Sequence, residues 1–167
     1  MVRLARPAEL ATLREIERSA GRMFADVGMA AVAADEPLSL AVLSDYCADE
    51  RLWVAIDDAD VAVAYLALEL VDRCAHIEQV SVHADHAGRG LGRTLVQRVL
   101  GWAEERGLPA VTLTTFRDVP WNRPYYERLG FRVLPHAEWS PGLVRIREEE
   151  GRLGLDAWPR VCMRLDL

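Results

Sequence analysis

Lysine is absent from this chain: all 20 of its basic residues are arginine. That alone removes one class of site, because a phosphate loop of the form GxxxxGK[ST] needs a lysine to reach the phosphates. It also leaves no lysine side chain of the protein open to acylation. Cysteine is scarce as well. Cys47, Cys74 and Cys162 are an odd and widely spaced set, which excludes a disulfide framework and a paired-cysteine zinc pattern. They read as small buried hydrophobes. No apolar run approaches the roughly 20 residues that cross a bilayer, and Met1-Val-Arg-Leu-Ala-Arg-Pro7 has no hydrophobic signal segment. The expectation is a soluble, cytoplasmic protein with no membrane partner. A positive balance is missing too. At a net charge of -6 no nucleic-acid partner is expected, since duplex binding depends on Lys and Arg neutralising phosphates. A cationic partner fits that balance better.

What is present is apolar. With 51% hydrophobic residues in 167, the chain has material for one domain, residues 1–167, with a core of its own. No internal repeat, linker or low-complexity tract interrupts it. Its centre is His83-Ala-Asp-His-Ala-Gly-Arg-Gly-Leu-Gly-Arg-Thr94. Upstream, residues 75–82 are rich in β-branched types and read as a strand. Downstream, Leu91, Leu95, Val99 and Ala103 recur at helical spacing to about Arg106. Gly88, Gly90 and Gly92 fall where the chain must turn from strand to helix. Backbone N–H groups left unpaired at a helix start, with the helix dipole behind them, make an anion cradle. A dinucleotide fingerprint is excluded: the third glycine position falls on Arg93, and no acidic residue follows at about 20 residues.

The rest of the chain alternates strands and helices. Strands are predicted at Val2–Ala5, Trp53–Ile56, Val61–Leu70, Ala110–Thr115, Phe131–Leu134 and Val161–Leu165. Helices are predicted from Pro7 to Ala20 through Leu10, Leu13, Ile16 and Glu17, from Ser39 to Cys47, from Pro120 to Leu129, and from Ser140 to Gly151. Residues 21–37 have no sustained period and read as a mobile or partly helical loop. This order implies an α/β sheet of mixed direction.

The loop Ala87-Gly-Arg-Gly-Leu-Gly92 resembles the Q/R-x-x-G-x-G/A pyrophosphate loop of the GNAT superfamily of acyl-CoA-dependent N-acetyltransferases. About thirty residues on, Trp121-Asn-Arg-Pro-Tyr-Tyr-Glu-Arg-Leu-Gly-Phe131 resembles the Asn-containing helix and Y-E-x-L-G-F ending that follow that loop in the superfamily. The resemblance runs from about residue 50 to 134. It implies a mixed, mostly antiparallel central sheet flanked by helices, with a splayed strand pair forming the acyl-CoA site. The implied activity is acetyl transfer from acetyl-CoA to a primary amine of a small molecule, directly and in a ternary complex. Alternatives are a protein or peptide N-terminal acetyltransferase and a non-catalytic acyl-CoA-binding or sensing module. The acceptor is not identified, and a homodimer is left open.

The resemblance also implies roles for residues. Ala87, Gly88, Arg89, Gly90, Leu91, Gly92, Arg93 and Thr94 would hold the pyrophosphate. Ala87 departs from the usual Gln or Arg, which passes the contact to the backbone and to Arg89 or Arg93. The N–H of Val80 would serve as oxyanion donor and that of Val82 as partner of the pantetheine arm. Asn122 either binds the cofactor's amide arm or caps its helix. Tyr126 would protonate the leaving thiolate, whereas Tyr125 packs in the core. Glu78, expected to be partly buried, or else His76, would act as base, because freeing an alkylamine of pKa about 10.4 at pH 7 costs roughly 4 to 5 kcal/mol. No metal is expected: His83 and His86 lie in the turn that meets the phosphate and read as polar turn residues. Glu148-Glu-Glu150 reads as a solvated helix face.

Overall fold

The computed structural model describes all residues from Met1 to Leu167. Seven strands form one sheet in the order β1-β2-β3-β4-β5-β7-β6. The chain divides into two compact units, residues 1–69 with 78–99 and residues 70–77 with 100–167.

In the first unit, β1 (Val2–Leu4) pairs antiparallel with β2 (Leu52–Ile56), and β2 antiparallel with β3 (Ala62–Val71). Residues Ala62 to Leu68 of β3 are all buried, so this strand carries apolar side chains on both faces. Helix α1 (Leu10–Gly21) buries Leu10, Leu13 and Ile16 at the spacing read from the sequence. Helix α3 (Leu40–Ala48) starts where Ser39 Oγ accepts the Val42 N–H at 3.2 Å. Leu13, Leu43, Tyr46, Leu52, Val54, Tyr65 and Ala67 form one core. Each fully buried Leu there contributes about 2 kcal/mol. Residues 22–27 form a 3-10 turn stopped by Gly28 at φ 76°, followed by the one-turn α2 (Ala30–Ala33). The loop expected there is therefore partly helical.

In the second unit, the two-residue turn Asp72-Arg73 has positive φ at both positions (48° and 67°), the geometry that joins β3 to β4 (Cys74–Val82). Ala75, His76 and Ile77 of β4 run parallel to Val111, Thr112 and Leu113 of β5 (Ala110–Phe116), and the ladder between these strands holds those three pairs. Strand β5 pairs antiparallel along its whole length with β7 (Arg160–Asp166), which also takes β6 (Arg132–Val133) antiparallel. The mixed, mostly antiparallel sheet is as expected. Helix α4 (Leu91–Glu105), whose residues 91–99 belong to the first unit, buries Leu95, Val96, Val99, Trp102 and Ala103.

Three sequence expectations change. The helix predicted from Pro120 is only α5 (Arg123–Arg128): Asn122 sits at φ -108°, ψ -114°, outside the helical region, and Pro124 falls in the first turn, where its missing N–H costs nothing. Gly92 lies inside the first turn of α4 rather than in the loop. In α6 (Pro141–Arg152), Glu148 and Glu149 are exposed, but Glu150 is not a solvated residue. It accepts hydrogen bonds from Arg160 and Arg147 and from the Thr114 hydroxyl on β5. A carboxylate drawn inward by two guanidinium groups is invisible to a run-of-charge argument.

Candidate functional site

The cradle is built by the passage from β4 to α4. After Val82 the chain turns through a 3-10 segment, Ala84–His86, whose first residue donates its N–H to Ser19 Oγ on α1 at 3.0 Å. His83 Nδ1 accepts the Asp85 N–H at 3.3 Å, so His83 works as a turn residue. Ala87 is extended, and Gly88 and Gly90 take φ of 73° and 77°, the left-handed region closed to most L residues. A β-carbon on either would meet no protein atom within 4 Å. Glycine is thus required there by backbone conformation, not by internal crowding. Ala87 to Gly90 are largely exposed, and α4 follows at once with the unpaired N–H groups of a helix start. The Arg89 guanidinium donates to the Asp85 carbonyl at 3.2 Å, and the Thr94 N–H and hydroxyl both donate to the Gly90 carbonyl, at 3.0 and 3.2 Å. Arg93 and Thr94 are exposed and Leu91 half-buried.

Just before the cradle, Val80 and Val82 are half-buried and two apart on β4, hence on one face. Glu78 is exposed, contrary to the partial burial expected of it, because the core-forming run of β4 ends at Ile77. His76 is 1% exposed and its Nδ1 lies 2.9 Å from Thr112 Oγ1.

Sequence reasoning missed a group of side chains whose electrostatics involve Glu78. The Tyr65 hydroxyl on β3 donates to Glu17 Oε2 on α1, and the same oxygen accepts the Leu38 N–H at 3.2 Å. The Tyr46 hydroxyl on α3 donates to Glu69 Oε1 at 2.7 Å. Burial raises the Glu17 carboxyl above its ordinary range, partly offset by the hydrogen bond from Tyr65. Both tyrosines are pushed up by burial and by the carboxylates near them, and the charge of Glu78 acts on both. A signal was available. Glu17 falls at i+4 from Leu13, on the apolar face of α1, and Tyr65 and Glu69 share a face of a strand that is otherwise hydrophobic.

In the second unit, Tyr126 is buried against Phe131 and Tyr125, with ring centroids 5.8 and 5.3 Å away. Burial raises its phenol well above the ordinary value. Tyr125 is half-buried, with the Arg128 guanidinium 6.0 Å from its ring centroid. Asn122 precedes α5 and its side chain makes no capping bond; its carbonyl instead accepts the N–H of Tyr126 at 3.1 Å. Its Oδ1 is buried and without a hydrogen-bond partner. A buried acceptor left open costs about 1 to 3 kcal/mol, which fits a donor supplied from outside the chain.

The Acetyltransferase (GNAT) family model matches residues 12–131. Among curated proteins, the chain is 27% identical over 97 residues to the Peptidyl-lysine N-acetyltransferase YjaB of Salmonella typhimurium, covering 58% of this chain and 61% of that protein. The match thus spans about three fifths of the relative's length. A GNAT-family acetyltransferase of Staphylococcus aureus superposes with a TM-score of 0.77 at 13% identity, over 100% of this chain and 98% of the other. A Mycobacterium tuberculosis protein whose crystal structure is a complex with CoA superposes with a TM-score of 0.70 at 22% identity, over 100% and 99%. The two superpositions establish likeness of fold.

Proposed function

Because this chain belongs to the GNAT acetyltransferase family, we propose that it transfers an acetyl group from acetyl-CoA to a primary amine of a small molecule, directly and within a ternary complex. The observation that carries this reading is the cradle: two left-handed glycines, open to the outside, at the head of a 15-residue helix. Acetyl-CoA supplies an activated acyl thioester. The backbone of residues 88–92 would receive its pyrophosphate, with Arg89 and Arg93 adding charge in place of the side chain that Ala87 lacks. The open Oδ1 of Asn122 is suited to an N–H of the amide arm.

The residues then divide the work. Glu78 takes the proton from the ammonium of the acceptor, directly or through water, in a step where freeing the amine costs roughly 4 to 5 kcal/mol at pH 7. Its exposure leaves the carboxylate reachable by an acceptor. The fully core-packed His76, already bonded to Thr112, is the weaker candidate. The N–H of Val80 stabilises the developing oxyanion and that of Val82 holds the arm. Tyr126, protonated at every working pH, is a proton source for the departing thiolate. No covalent acyl-enzyme is needed. Cys74 and Cys162 are buried, and burial raises the Cys162 thiol to about 12, far from a working nucleophile.

The name of the Salmonella relative favours a second acceptor class, the ε-amine of a peptide lysine. A screen of small amines, lysine peptides and peptides with a free N-terminus, each with acetyl-CoA and read by released thiol, separates the classes. Saturating turnover with small amines supports the first reading, turnover confined to peptides the second. CoA binding without thiol release from any acceptor would leave a binding module. Initial-rate patterns should intersect; parallel lines would contradict direct transfer.

A further inference from the structure

Helix α1 buries Leu10, Leu13, Ile16 and Ser19, a stripe in which each residue follows the last at helical spacing. The fourth position breaks the apolar pattern with a hydroxyl on a residue only 4% exposed. A buried hydroxyl costs stability unless it is matched, and this one has its partner in the turn before the cradle: Ser19 Oγ accepts the Ala84 N–H at 3.0 Å. A second bond, from the His83 N–H to the Val63 carbonyl at 2.9 Å, ties the entry of the turn to β3. Both sides of the cradle then hang from the residues so held. The Ala84 carbonyl accepts the Ala87 N–H at 3.1 Å, directly before Gly88, and the Asp85 carbonyl accepts the Arg89 guanidinium at 3.2 Å.

We propose that Ser19 is a positioning residue for the acyl donor: by accepting the Ala84 N–H it fixes the turn that presents the backbone of residues 87–90 and the Arg89 side chain to the pyrophosphate. This rests on the reading of residues 88–92 as the pyrophosphate cradle. Gly88 and Gly90 reach the left-handed region without strain, but glycine is equally at home elsewhere, so a loop holding both needs an outside constraint to stay in one conformation. A donor that must first order its loop binds more weakly, in proportion to the time the loop spends out of the competent form. An alanine at position 19 would continue the apolar stripe of α1 and hold nothing in the turn.

The test is calorimetric titration of CoA into the full-length protein, with amide exchange read at Ala84 and Ala87. In Ser19→Ala the CoA affinity should fall about fivefold, the equilibrium worth of one ordinary hydrogen bond, and both amides should exchange faster. Ser19→Thr keeps the accepting oxygen and should hold affinity within about twofold of the wild type. Ile16→Val removes a methyl from the same stripe one turn earlier and loosens the packing of α1 without touching the turn, so it should leave CoA affinity unchanged. Native affinity in Ser19→Ala would overturn the proposal. So would an equal loss in Ile16→Val, which would make the effect one of helix packing, or an equal loss in a folded Ser19→Thr. If Ser19→Thr does not fold because its added methyl overfills the stripe, the comparison of Ser19→Ala with Ile16→Val decides alone. Failure of the cradle reading looks different: the wild type would not bind CoA, or a folded Gly90→Val would bind it as the wild type does, whatever Ser19 contributes.

Discussion

At Glu78 the chemistry and the packing make separable demands. If it is the base, Glu78→Gln should leave fold and CoA affinity intact but cut turnover of an alkylamine that is charged at neutral pH. An aromatic amine or a hydrazine, already neutral at pH 7, should be far less affected, since the roughly 4 to 5 kcal/mol deprotonation step is absent. Rates on both acceptors measured across pH decide it, and equal losses would make Glu78 a supporting residue of β4. Tyr126→Phe should keep CoA affinity and lower turnover, because the aromatic contacts to Phe131 and Tyr125 survive and only the hydroxyl is lost. The glycines and Tyr126 stand in local motifs of the amino-acid sequence, and Glu78 is singled out there only as a carboxylate on the strand before the glycine loop. Glu17, Tyr46, Tyr65 and Glu69 are not legible in it. Their meaning lies in pairs 48 and 23 positions apart, which no local pattern reports.

Among the elements, α6 offers the cleanest test of local design. Two side chains serve its first turn: Ser140 Oγ accepts the Leu143 N–H at 3.4 Å, and Asp72, from the β3–β4 turn, accepts the Gly142 N–H at 2.5 Å. Hydrogen bonds from the Ser140 side chain and the Gly142 N–H hold the Asp72 carboxyl below its ordinary range. Asp72→Ala should cost about 1 kcal/mol, a fall in Tm of roughly 2 to 4 °C. Gly142→Ala should cost more, since the added methyl would run into Val71 Cγ1 and Asp72 Oδ2. The capping serine and the proline after it are readable in the sequence, and the helix starts where they place it. The partnership with Asp72, 70 residues away, is not. Helix α5 departs from its sequence expectation for the opposite reason. Its apolar and aromatic pattern extends back to Pro120, but the backbone of Asn122 breaks the helix before Arg123.

For the molecule as a whole, alternating strands and helices imply the architecture, and the strand order conforms to it. Which charges turn inward is beyond that kind of reading, and these govern stability against pH. Burial works to raise Glu150, but Arg160, Thr114 and Arg147 outweigh it and hold the carboxyl low. The hydrogen bond from Arg3 does the same for Glu9. A depressed carboxyl stabilises the fold above the ordinary carboxylate range and loses that contribution as pH falls through its folded-state value. Glu17, raised by burial, has the opposite sign: its contribution is lost as pH rises through the raised value. Thermal melts should therefore show Tm dropping below about pH 4. Glu150→Gln should flatten part of that drop while costing about 3 kcal/mol at pH 7, or roughly 6 to 12 °C, by taking the carboxylate from the buried Arg160 guanidinium, whereas Arg147 keeps its pair with Asp156. These charges belong to the scaffold, whereas the acyl donor is proposed to seat in the glycine cradle. Calorimetric titration of CoA into the wild type and into Gly90→Val, both checked for folding by circular dichroism, tests that seating most directly. The native protein should bind, and the variant should lose binding by well over tenfold, because valine at φ 77° is strained and its side chain fills the open approach. Near-native affinity in a folded Gly90→Val protein would contradict the account.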